Sequence, residues 1–107
     1  MATESKDSAP AIARLRAADL TQLEALLRAN HLPVDDCAEQ LPAFRGVFDA
    51  SGLIAAGGLE RAGRCGLLRS VVVDDKYRGQ GLARAITDYL IDEARQASLP
   101  AIYLLTE

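Results

Sequence analysis

The run Val71-Val72-Val73-Asp74-Asp75-Lys76-Tyr77-Arg78-Gly79-Gln80-Gly81-Leu82-Ala83 constrains this chain more than any other stretch. Three consecutive β-branched residues favour a buried central strand, because their stiff side chains pack well on a pleated surface. The acidic pair Asp74-Asp75 ends that strand, and two glycines follow. Leu82, Ala85, Ile86, Tyr89, Leu90 and Ala94 then recur at helical spacing, with Arg84, Asp88, Asp92 and Arg95 on the opposite side. A buried strand, a glycine loop and an amphipathic helix in direct succession predict an α/β chain.

Such a junction suits an anion. The first turn of a helix leaves four backbone N–H groups without intrahelical partners, and the macrodipole places about half a positive charge there. Gly79 and Gly81 remove side chains that would hold a phosphate away from those donors, and Ala83 keeps the first turn slim. Arg78 adds a charged contact. A Gly-x-Gly pair also occurs in ordinary tight turns, so its surroundings decide between readings. A nucleoside triphosphate loop needs Gly-Lys-Ser/Thr, whereas Gly81 is followed by Leu82 and Ala83. A dinucleotide fingerprint needs a third glycine where Arg84 stands, on a strand near the start of the fold.

The chain has 107 residues, half of them apolar and a quarter charged, which fits one compact domain and is far from the composition of disorder. A formal charge of −3 argues against a general nucleic-acid surface. No apolar run approaches the roughly 20 residues that span a bilayer, and Met1 to Pro10 lacks the apolar core of a secretion signal, so no membrane partner and a cytoplasmic location are expected. Cys37 and Cys65 lie outside any metal-ligand spacing and read as reduced thiols; no metal is expected.

Residues 1–9 read as a flexible arm and 10–107 as the domain. A short strand from Pro10 to Leu15 precedes a helix over Asp19 to Ala29, where Leu20, Leu23, Leu26 and Leu27 share one face and Asn30 marks the stop. Val34 to Leu41 predicts a short helix capped by Asp35 or Asp36 and closed before Pro42. Ala43 to Phe48 and Leu53 to Glu60 flank Asp49-Ala50-Ser51-Gly52 and predict a hairpin. A turn at Gly63 leads into a strand over Cys65 to Val73, and Ala101 to Leu105 forms the last strand.

Arg78-Gly79-Gln80-Gly81-Leu82-Ala83 resembles the Arg/Gln-x-x-Gly-x-Gly/Ala signature of the GNAT N-acetyltransferases, and the likeness extends over about Pro10 to Glu107. It implies an acyl-CoA N-acyltransferase fold: a mixed, mostly antiparallel sheet with flanking helices. Gly66 to Ser70 and Ile102 to Glu107 look like the GNAT branch associated with arsenic-resistance operons.

The resemblance implies that Val71, Val72 and Val73 pair with the pantetheine arm of acetyl-CoA. Arg78, Gly79, Gln80, Gly81, Leu82 and Ala83 are then expected to hold its pyrophosphate. The implied reaction is attack of a small-molecule amine on the thioester, with no metal. In the family a further helix and two strands follow the fifth strand, whereas this sequence stops at Glu107. Three readings stay open: a fragment, a truncated gene product, or a protomer completed by a second copy or another chain. A non-catalytic coenzyme A module is the alternative function.

The general base is unassigned, with Glu60 the acidic candidate and a solvated strand-end carboxylate the competing reading. Arg69 stands inside an apolar strand, where a guanidinium needs a partner. Either it meets an anionic acceptor or it pairs with Glu60, and strict alternation would place it on one face with Leu67, Val71 and Val73. His31 reads as a helix-end or exposed residue, and Tyr77 and Tyr103 as core or cleft residues.

Overall fold

The computed structural model describes residues 11–35, 37–62, 65–97 and 101–104. Five strands form one sheet whose spatial order equals the chain order: β1 (Ile12–Arg14), β2 (Phe44–Asp49), β3 (Gly52–Ala62), β4 (Cys65–Val73) and β5 (Ala101–Leu104). The first three pairings are antiparallel and β4–β5 is parallel. A parallel pair needs a crossover, and the helix α3 (Leu82–Gln96) supplies it. Two further helices, α1 (Leu20–Ala29) and α2 (Cys37–Gln40), lie between β1 and β2 in the chain.

Each face of the sheet carries its own core. Leu23, Leu26 and Leu27 of α1 pack with Leu15, Phe44, Ala56 and Val72, whereas Leu82, Ile86 and Leu90 of α3 pack with Val47, Ala55, Leu68 and Val73. Burying a leucine-sized side chain contributes about 1.5–3 kcal/mol, so these two stripes fix both helices. Gly57 lets α3 approach: a Cβ there would lie 2.7 Å from Ile86 Cγ2 and 3.2 Å from Val71 Cγ2. The hairpin turn uses Gly52 at φ 120°, where Leu53 N–H donates to Gln22 Oε1 at 2.8 Å and ties the hairpin to α1.

The register of β4 departs from strict alternation. Ala56 faces Val72 and Gly58 faces Arg69, so Ser70 and Val71 together stand opposite Gly57. Ser70 has φ 56°, the left-handed conformation of a bulge residue. The bulge resets the faces: Leu68, Val71 and Val73 meet the α3 core, and Val72 meets the α1 core. The expectation that Arg69 shares a face with Val71 and Val73 is therefore wrong. Arg69 sits opposite Gly58, whose missing Cβ faces the Phe44 ring of the α1 core.

Two other expectations change. The helix expected over Val34 to Leu41 covers only Cys37–Gln40; it closes before Pro42 as expected, and Pro42 sits in the first turn of a separate 3-10 segment, Leu41–Ala43, where a missing N–H costs nothing. Tyr89, assigned to the apolar face of α3, is 38% exposed. Residues 1–10, Asp36, Gly63 and Leu105 lie outside the described residues, so the arm, the Asp36 cap, the Gly63 turn and the last residue of the fifth strand do too.

Candidate functional site

The two halves of β4 differ in pairing. Cys65 to Leu68 match Ala101 to Leu104 on one side and β3 on the other, whereas Arg69 to Val73 have a strand partner only on the β3 side among the described residues. Beside that one-sided half, a groove of about 490 Å3 runs between Val71, Val72 and Val73 and the start of α3.

The loop entering α3 is anchored from below. Asp74 N–H donates to Ile54 O at 2.8 Å, and Asp74 Oδ1 accepts from Lys76 N–H at 2.9 Å, which folds Asp75–Tyr77 into a 3-10 turn. Tyr77 packs its ring against the α3 core and donates its hydroxyl to Asp49 Oδ2 in the hairpin turn. Asp49 Oδ1 in turn accepts from Ser51 N at 2.7 Å and Ser51 Oγ at 2.6 Å. The Ser51 hydroxyl, then that of Tyr77, hold the Asp49 carboxyl below its ordinary pKa, and the bond to Asp49 pushes the Tyr77 phenol above its own.

Above this anchor the backbone turns left-handed twice, at Gly79 (φ 82°) and Gly81 (φ 81°). A side chain at either would be strained there, and a Cβ at either would project into open space. Gly81 is the N-cap of α3, and no side chain caps the helix. The first helical bond runs from Ala85 N–H to Gly81 O at 2.9 Å, so the amides of Leu82, Ala83 and Arg84 have no intrahelical acceptor. These donors border the groove, which suits a polyanion.

Arg78 is held in place. Its Nε donates to Val73 O at 3.4 Å, one Nη2 contact goes to Asn30 Oδ1, and the same nitrogen lies 3.0 Å from Asp75 Oδ1. Asn30 also caps α1 by donating Nδ2 to Leu26 O at 3.0 Å, so Arg78 joins the end of α1 to the loop. The Arg84 side chain lines the groove and makes no ion pair with any described residue.

Of the residues expected at the coenzyme, Val71, Val72, Val73, Arg78, Gly79, Gly81, Leu82 and Ala83 line the groove; Gln80 does not, because it is the exposed outer residue of the turn. Asn30, Tyr77 and Arg84 line it as well. Asn30 was legible only as a helix stop, and Arg84 only as a residue of the polar face of α3. Arg69 and Glu60 do not line the groove; Arg69 Nη1 donates to Glu60 Oε1 at 2.9 Å. His31 is exposed and left-handed (φ 61°) beyond α1, as expected for a helix-end residue. Among the described residues no helix is long and apolar enough to cross a membrane.

The model of the acetyltransferase (GNAT) family matches residues 15–107. No curated protein matches the chain. Among solved structures, Rv2747 from Mycobacterium tuberculosis in complex with CoA and NLQ superposes with a TM-score of 0.83 at 23% identity, covering 91% of this chain and 64% of that one. N-acetylglutamate synthase from Neisseria gonorrhoeae, complexed with coenzyme A and N-acetyl-glutamate, gives 0.81 at 17% identity over 90% of this chain and 25% of that one. The ribosomal-protein-S18-alanine N-acetyltransferase of Escherichia coli gives 0.77 at 21% identity over 88% and 64%. The chain thus spans less than two thirds of each of these structures, and at such identities the likeness carries the fold. With the family match covering nearly all of the described residues, this chain belongs to the GNAT acetyltransferase family.

Proposed function

We propose that the chain binds acetyl-coenzyme A in the groove beside β4 and serves an N-acetyltransferase acting on a small-molecule amine. The observation that carries this reading is the uncapped start of α3, preceded by two left-handed glycines whose side-chain positions are open space, beside a half-strand paired on one side among the described residues. The amides of Leu82, Ala83 and Arg84 suit a pyrophosphate, with the Arg84 guanidinium near it. The backbone of Val71 to Val73 suits the amide groups of a pantetheine arm, which can take the hydrogen bonds of a neighbouring strand. Gly79 and Gly81 keep the approach clear, and Arg78 holds the loop to α1.

Acetyl-coenzyme A supplies an acetyl group activated as a thioester, and the chain's task is to align it with an amine, which lowers the entropic part of the barrier. Arg69, oriented by Glu60 on the α1 face just before the bulge, is assigned to a carboxylate on the acceptor. The N-acetyl-glutamate bound to the Neisseria synthase supports an amino-acid-like acceptor. A second reading, coenzyme binding without catalysis, is favoured by one observation: the Glu60 carboxylate, the candidate base, is engaged by Arg69.

Thioester consumption with glutamate, glutamine and a neutral primary amine separates these readings. Turnover of the carboxylate-bearing amines, selectively weakened in Arg69→Lys because the guanidinium fork is lost while the charge is kept, is the expected result. Coenzyme binding with no turnover of any amine would favour the second reading, and an equal loss for the neutral amine would remove Arg69 from recognition.

A further inference from the structure

A larger cavity, of about 630 Å3, lies at the other end of α3, between its last turn and the β1–β3 end of the sheet. At 1.5 Å per residue the two ends of this helix are roughly 22 Å apart, so the cavity is separate from the coenzyme groove.

Three arginines line it. Ile12 and Val47 pack on the α3 core, and Arg14 and Arg45, two residues from each, take the same face; Arg61 follows Leu59 in the same way. Arg14 and Arg45 are direct cross-strand partners, an arrangement of like charges that costs stability on its own. Arg45 is compensated. Its Nε lies 3.1 Å from Glu93 Oε1, Nη2 donates to Oε2 at 3.3 Å, and Nη1 donates to the carbonyls of Pro42 and Phe44 at 2.9 Å.

Those contacts use the charge of Glu93, and the other carboxylate on the wall, Glu60, is paired with Arg69. Arg14 and Arg61 are exposed and form no ion pair with any described residue. The carbonyl end of α3 at Gln96 and Ala97 favours nearby cations, yet its partial charge is about half a unit against two full ones. Concave walls concentrate the field of the excess charge, and guanidinium forks match carboxylate and phosphate oxygens.

We propose that this cavity is a second ligand site, which takes a small anion bearing a carboxylate or phosphate group through Arg14 and Arg61. Amide-resolved NMR titrations of the full 107-residue chain with succinate and, separately, with inorganic phosphate at constant ionic strength test it. Saturable shifts at Arg14, Arg61 and Ala97 are expected with at least one anion, and the anion that saturates identifies the group. The double variant Arg14→Gln, Arg61→Gln should weaken that binding by about tenfold or more and leave coenzyme affinity unchanged. Shifts that never saturate with either anion, that appear only at Leu82 to Arg84, or that survive in the double variant would overturn the proposal.

Discussion

Two helix ends meet at the groove beside β4, and they are finished in opposite ways. The end of α1 closes on itself: His31 N–H donates to Arg28 O at 3.0 Å and Leu32 N–H to Leu27 O at 2.9 Å, with Leu32 packed on the core beside Leu27. That is a Schellman motif with histidine in the left-handed position where glycine is usual, and Asn30 satisfies a further carbonyl. The start of α3 has glycine in the left-handed position and no side-chain cap. One end has its polar groups answered by the protein and so serves the fold; the other leaves its donors for something else.

Substitutions at the two ends should therefore be read by different instruments. The largest effect is expected from Gly81→Asp, which puts a carboxylate at the mouth of the donor cluster in a left-handed position that asparagine and aspartate tolerate better than other side chains. Calorimetry should show coenzyme A affinity reduced by about 100-fold or more, since both charge and bulk oppose the pyrophosphate. A folded variant with unchanged affinity would mean that the pyrophosphate does not lie at the start of α3. A smaller effect of the other kind is expected at α1. His31→Gly removes a left-handed side chain and should raise stability by up to about 1 kcal/mol in denaturant unfolding, with coenzyme affinity unchanged. A change in affinity without a change in stability would mean that the α1 end also serves the ligand.

The order of strands and the two long helices were legible because their signals are local: leucine spacing over Leu20 to Leu27, the β-branched run at Val71 to Val73, and the periodicity from Leu82 to Ala94. The glycine turn that borders the groove was legible for the same reason, as Gly79 and Gly81 must be read together with the strand before them and the helix after them. Three features were not. The bulge at Ser70 depends on register against Gly57, a long-range pairing that no local pattern of β4 reports, and it alone decides which face receives Arg69. Asn30 enters the groove because the end of α1 packs beside β4, a tertiary contact 48 residues from Arg78 in sequence. The cavity of Arg14, Arg45 and Arg61 draws on three strands and the far end of α3, so its parts look like unrelated surface charges until the sheet assembles them.

Whether the free amides at the start of α3 receive the coenzyme's pyrophosphate is decided by amide-resolved NMR of the isotopically labelled chain during titration with coenzyme A and with pantetheine, which lacks the pyrophosphate. Coenzyme A should shift the amides of Leu82, Ala83 and Arg84 strongly, pantetheine should leave them near their free positions, and His31 and Leu32 should move little with either. Saturable coenzyme A binding that leaves Leu82 to Arg84 unshifted, or equal shifts there with pantetheine, would contradict that placement of the pyrophosphate.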